Sequence, residues 1–331
     1  MTERAGEGPA LIFSLQPCVI LLWMDELRVI CARLAGNELV AAECENLTGG
    51  RPGADGVASC QSLELLPRAA YLSTGLRCLA QADTLEELVV QVQALHLIPE
   101  RFRVEYLDLT AHAPLSKRAA ILSIANAIDT YPDLEHPQNR FVCVVQESCL
   151  WLGEVLAVNA RSYLLHDAKP YRTSSSLSSR LARALVNLVA PPAETILDPF
   201  CGTGSILLEA EAVGLSAFGV DRNTRMIGMS RGNLAHFGYP VRVEPGEALT
   251  CLRSADAIIT DLPYGRLLQV DYPAIQSALT HLVQLAPRAV YLAGSNLTPI
   301  LTQAGYNQVE VLRVRKRPTM SRFIHLCQAL P

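Results

Sequence analysis

Residues 198–205 read Asp-Pro-Phe-Cys-Gly-Thr-Gly-Ser, and their flanks leave few choices of fold. A short apolar run, 194–197, stands before them, after two prolines. Ser205-Ile-Leu-Leu-Glu-Ala-Glu-Ala follows, with good helix formers and apolar residues at helical spacing. A buried strand, a glycine turn and a helix, in that order, open a βαβ unit, and such units build parallel sheets. The pattern then repeats. Residues 216–220 read as a second strand ending at Asp221, 241–244 as a third, and 255–260 as a fourth ending at Asp261. Later apolar runs at 289–293, 308–314 and 323–327 continue the sheet, the last two as an antiparallel hairpin. The expected fold of the C-terminal half is a Rossmann-like, doubly wound α/β sheet.

The glycine loop also suggests a ligand. Gly202 and Gly204 permit a tight turn and close approach of the backbone. The free N–H groups at the start of the next helix favour a carboxylate. Asp198, at a strand end, can accept hydrogen bonds from a ligand amine or from loop N–H groups. Asp221, roughly 20 residues beyond the loop, suits ribose hydroxyls. Glu247, after the third strand, is placed to reach an adenine edge. A dinucleotide site would want a third Gly or Ala where Leu207 stands. A nucleoside carrying an amino-acid carboxylate, S-adenosylmethionine, fits better. The residues expected to line it are Asp198, Phe200, Cys201, Gly202, Thr203, Gly204, Asp221 and Glu247.

A second loop, Asp261-Leu262-Pro263-Tyr264-Gly265, lies 63 residues after Asp198. Ligands of open α/β sheets bind at the carboxyl ends of strands, where the strand order reverses. The exocyclic amine of a nucleobase is a poor nucleophile because its lone pair is delocalised into the ring. An enzyme that methylates it must align that lone pair and stabilise the positive charge that develops. The Asp261 carboxylate and the Leu262 carbonyl can each accept from the amine. Pro263 stiffens the loop, and Tyr264 can stack on the base. A paired base is out of reach, so the target is expected to be flipped or unpaired.

These motifs, with VDRN and the upstream KPYRTSSSLSSRLARALVNL, resemble those of the THUMP-domain tRNA guanosine-N2 methyltransferases over about 168–266. The family often has Asp-Pro-Pro-Tyr-Gly, and Leu262 departs from that. The resemblance implies a class I S-adenosylmethionine-dependent methyltransferase sheet, preceded by an α+β half with a THUMP-like RNA-binding module, and a tRNA substrate. The implied organisation is an N-terminal α+β domain over 1–95, a THUMP-like module over 96–158, a linker over 159–174 and the methyltransferase domain over 175–331. In the THUMP-like part, 102–106, 115–128, 141–145 and 149–155 follow a strand–helix–strand–strand order. Two rivals stay open: a DNA adenine-N6 or cytosine-N4 methyltransferase, and a non-catalytic RNA-binding protein that keeps the fold.

Composition narrows the setting. Hydrophobic residues are 50% and charged residues 18%, which excludes a disordered chain. The apolar stretch 11–24 is short and interrupted, so a buried strand pair is expected rather than a membrane span. Ten scattered cysteines form no Cys-x-x-Cys pair, which argues against zinc and for reduced thiols in the cytoplasm. No metal site is expected. Net charge is −4, so RNA contact would rest on local patches. The cluster Arg161, Lys169, Arg172, Arg180 and Arg183 lies just ahead of the catalytic segment, and its first three members are the expected RNA ligands. The segment 49–56 reads as a flexible loop or hairpin insertion.

Overall fold

A computed structural model describes residues 25–32, 38–111, 115–263, 272–317 and 320–330. Along the chain the first elements are β1 (Leu27–Cys31), α1 (Glu38–Thr48), β2 (Val57–Cys60), β3 (Leu72–Ala82), α2 (Leu85–Ala94), β4 (Phe102–Asp108), α3 (Lys117–Asn126), β5 (Asn139–Val145) and β6 (Leu150–Val158). The chain forms two compact units. Among the described residues, one holds 25–26 and those of 77–154; the other holds those of 27–76 and 155–330. Strands β3 and β6 each run from one unit into the other. The described residues between 25 and 95 are shared between the two units. The stretch 11–24 lies outside the described residues.

In the first unit β4 and β5 are parallel, and β5 and β6 are antiparallel. Alternate residues Phe102 and Val104 on β4, and Phe141, Cys143 and Val145 on β5, share one core with Leu88 and Val92 of α2 and Ala120 and Ile124 of α3. Period-two burial on the strands meets helical spacing on the helices, which is why this face closes. Thr84 caps α2, its Oγ1 accepting from Glu87 N at 3.3 Å. The expected element order over 102–155 is present.

The second unit begins with β1 and β2 as an antiparallel pair. The segment 49–56 joins α1 to β2, so it is a helix-to-strand connection and not a hairpin insertion. Its main elements then follow: α4 (Ser179–Asn187), β7 (Thr195–Asp198), α5 (Ser205–Ala212), β8 (Ser216–Asp221), α6 (Thr224–His236), β9 (Val243–Pro245), β10 (Ala257–Asp261), α7 (Tyr272–Leu282), β11 (Arg288–Ala293), α8 (Thr298–Ala304), β12 (Gln308–Arg317) and β13 (Met320–Gln328). They build a seven-stranded sheet in the order β12-β13-β11-β10-β7-β8-β9. Strands β7 to β11 are parallel, and β13 is antiparallel to both β11 and β12, which makes the expected terminal hairpin.

Both faces of the sheet are covered. Ile196, Ala257, Ile259, Val290 and Leu292 pack into one core. Their neighbours Leu197, Ile258, Ala289 and Tyr291 pack into the other. Strands buried on both faces read as continuous apolar runs, as these do. The fold is the expected Rossmann-like, doubly wound α/β sheet. Within 159–174, a 3-10 turn over Ser162–Ala168 buries Tyr163 and His166.

A buried polar network fixes α1 to α4 within this unit. The Glu43 carboxylate, fully buried, accepts from Ala70 N, Tyr71 N and Asn187 Nδ2, each at 2.7 Å. Three donors offset the cost of removing the carboxylate from water.

Candidate active site

The order of the sheet places its topological switch between β7 and β10, which are neighbours. Strand order runs outward from β7 to β9 on one side and from β10 to β11 on the other. Asp198 ends β7 and Asp261 ends β10. The two sequence motifs therefore meet at the carboxyl edge where such sheets bind ligands.

Asp198 is buried. Its Oδ1 accepts from Thr260 Oγ1 at 2.6 Å and from Phe200 N at 3.2 Å, tying the glycine loop to β10. Burial pushes its carboxyl up to about 7. The charges of Asp221 and Asp261 push in the same direction. Asp221 accepts from Gly202 N at 2.9 Å and from Asn223 N at 2.8 Å. Its carboxylate thus braces the loop from β8. Carboxylates converging on one edge favour a cationic ligand.

The loop itself is built on positive φ. Gly202 has φ +52° and Gly204 φ +78°. A Cβ on Gly204 would come within 2.4 Å of Ser230 Oγ, so that glycine serves close packing on α6. A Cβ on Gly202 would meet nothing nearer than Phe200 O at 4.0 Å. Its face is open, so a ligand can lie against the backbone there. An open glycine face beside acidic groups fits a cationic nucleoside such as S-adenosylmethionine.

Cys201 is buried, and that burial drives its thiol far above the ordinary range. It stays protonated and is no nucleophile. Phe200 is half-buried, Thr203 is buried, and Glu247 is exposed just beyond β9. Leu262 is buried, its N–H donating to Leu292 O at 2.9 Å, and Pro263 is exposed. Tyr264 and Gly265 lie outside the described residues.

Two buried residues hold the site without having stood out in the sequence. Asn233 of α6 donates through Nδ2 to Thr203 O at 2.8 Å and Tyr171 O at 2.9 Å, and its Oδ1 accepts from Tyr171 N at 2.9 Å. It clamps the segment upstream of α4 to the glycine loop. Glu209 of α5 lies between His166 Nδ1 at 2.7 Å and Arg183 Nη2 at 2.7 Å. Of the expected basic cluster, Arg161 and Arg172 are exposed. Lys169 and Arg183 are buried, and Arg180 lies over the Tyr71 ring at 4.3 Å. Among the described residues no group of three or more His, Cys, Asp or Glu could hold a metal ion, and no helix is long and apolar enough to cross a membrane.

Residues 166–273 match the family model described as UPF0020, an RMKL-like methyltransferase domain. The tRNA (guanine(10)-N2)-dimethyltransferase of Methanothermobacter thermautotrophicus is 32% identical over 196 residues, 56% of this chain and 58% of that protein. Over that stretch the chain is similar to a tRNA guanine-N2 methyltransferase. A second relative of the same name, from Pyrococcus abyssi, is 41% identical over 108 residues, 30% of this chain and 32% of its own length. The tRNA (guanine(6)-N(2))-methyltransferase THUMP3 of Bos taurus is 27% identical over 28% of this chain and 22% of its own. The matched regions thus span less than two thirds of these tRNA methyltransferases. The crystal structure of TrmN from Thermus thermophilus shares the fold, with a TM-score of 0.52 at 18% identity over 92% of this chain and 99% of that one.

Proposed function

We propose that this chain transfers the methyl group of S-adenosylmethionine to the exocyclic N2 amine of a guanosine in tRNA. The observation that carries this reading is the convergence of Asp198 and Asp261 at the ends of adjacent strands β7 and β10, at the switch of the sheet. The tRNA guanine-N2 activity of the named relatives supports the choice of base.

Bound S-adenosylmethionine supplies a methyl group activated by its sulfonium. Gly202 and Gly204 with Asp198, Phe200, Cys201 and Thr203 would form its cradle, Asp221 would take the ribose hydroxyls and Glu247 the adenine edge. The Asp261 carboxylate and Leu262 carbonyl would accept hydrogen bonds from the amine. That would aim its lone pair, and the carboxylate would stabilise the positive charge that develops on the nitrogen. Pro263 would stiffen this loop, and Tyr264 would stack on the flipped base. Exposed Arg161 and Arg172 would contact phosphate, with the THUMP-like segment 96–158 gripping the tRNA. We infer a cytoplasmic location from the tRNA-modifying relatives.

The test of substrate class is methyl transfer from labelled S-adenosylmethionine to unmodified bulk tRNA and, separately, to unmethylated duplex DNA. Label confined to tRNA supports the reading. Label in DNA adenine or cytosine would replace it with a DNA amino-methyltransferase. No transfer with cofactor still bound would point to a non-catalytic RNA-binding role.

A further inference from the structure

Lys169 is a buried cation. The residue is 6% exposed, and its Nζ donates to Ser205 Oγ at 2.5 Å. Among the described residues it forms no ion pair. The two acids whose charges act on it, Glu209 and Asp167, each bond to other side chains. Glu209 lies between His166 and Arg183. Asp167 Oδ1 accepts from Ser179 Oγ at 2.9 Å. An ammonium has three N–H donors, and one has a partner here. A buried charge is ordinarily paired, because leaving water unpaired costs several kcal/mol.

The position of that charge points to the kind of anion it would meet. Ser205 is the first residue of α5 and follows Gly204 directly. The N–H groups of a helix start favour negative charge on the same side. The segment bearing Lys169 is seated on the glycine loop by other bonds as well. Ser176 Oγ lies 3.0 Å from Thr203 Oγ1, and Asn233 joins Tyr171 to Thr203. The ammonium is thus built into the wall of the loop. Exposed Arg161 and Arg172 remain available to a polyanion; buried Lys169 suits a small group that enters the loop.

We propose that Lys169, steered by Ser205, recognises the carboxylate of the cofactor's amino-acid moiety rather than RNA phosphate. This rests on the S-adenosylmethionine reading above.

The test measures binding by calorimetry on the full chain. The probes are S-adenosylhomocysteine, its carboxyl methyl ester, and 5′-methylthioadenosine, which lacks the amino-acid part. The wild-type protein should bind the ester about 30-fold or more weakly than the acid, as expected when one partner of a buried charge pair is removed. Lys169→Met should weaken the acid by a similar factor, bind acid and ester alike, and leave 5′-methylthioadenosine and tRNA affinity within about twofold. Ser205→Ala should fall between. Equal loss of acid and 5′-methylthioadenosine would make Lys169 a strut of the loop and overturn the proposal. So would unchanged binding of the acid, or loss of tRNA binding alone. If Lys169→Met does not fold, the wild-type comparison of acid and ester decides alone, and equal affinity overturns the proposal. A wild-type protein that binds none of the three nucleosides would instead defeat the underlying S-adenosylmethionine reading.

Discussion

Asp198 should make this protein less stable as pH rises through neutrality. Its carboxyl moves from the ordinary 3.8 to about 7 on folding, chiefly through burial. The folded state therefore holds the proton more tightly than the unfolded chain does. Stability from this group is full below about pH 4, and is lost progressively up to about pH 7. At about 1.36 kcal/mol per tenfold change in proton affinity, the full loss is about 4 kcal/mol. Roughly 3 kcal/mol of it falls between pH 5 and pH 8. The comparison protein is Asp198→Asn, whose amide oxygen can still accept from Thr260 and Phe200 but does not titrate. Urea denaturation followed by circular dichroism, at pH 5, 6, 7 and 8, gives the stability of each. The wild type should lose about 3 kcal/mol relative to Asp198→Asn across that range. Parallel curves would refute the reasoning, since they would mean that Asp198 ionises as easily inside the fold as outside. A wild type that gained stability with pH relative to the variant would reverse its sign.

Gly204→Ala should destabilise by about 2 kcal/mol or more, from positive φ and the contact with Ser230, whereas Gly202→Ala should cost about 1–2 kcal/mol, because only the backbone term applies. Thermal unfolding separates the two, and equal losses would contradict the packing role given to Gly204. Gly202→Ala should instead lose cofactor affinity out of proportion to stability, which calorimetry with S-adenosylhomocysteine checks. Glu209→Ala should cost about 3–5 kcal/mol, because it strands the buried Arg183 guanidinium. A loss under about 1 kcal/mol in denaturant unfolding would mean that water or another acid compensates it.

The parallel sheet was legible because strands buried on both faces show as apolar runs, and helices between them show as periodic ones. Runs at 194–197, 216–220 and 255–260 correspond to β7, β8 and β10, each within two residues at either end. The glycine loop and Asp261 were legible for a related reason: special backbone chemistry is local and leaves its mark in a few adjacent residues. Long-range polar contacts leave no such mark. Glu43 and Asn187 are 144 residues apart, and neither sits in a motif, so the packing of 27–76 with the C-terminal sheet could not be read from spacing. Basic clusters mislead for the converse reason. Lys169, Arg172 and Arg183 look alike in sequence, yet packing buries two of them and exposes the third. Asn233 is marked in the sequence only by its place in the helix that follows Asp221, which is a weak signal.

The most direct test of the central claim is nucleoside analysis of unmodified tRNA after incubation with S-adenosylmethionine and either the wild type or Asp261→Ala. The account predicts N2-methylguanosine with the wild type, and at least a hundredfold less with Asp261→Ala while S-adenosylhomocysteine binding stays within a few fold, on the scale of losing one aligned charge-stabilising group. N2-methylguanosine formed at an undiminished rate by Asp261→Ala would contradict it, because the carboxylate at the end of β10 would then have no part in the chemistry.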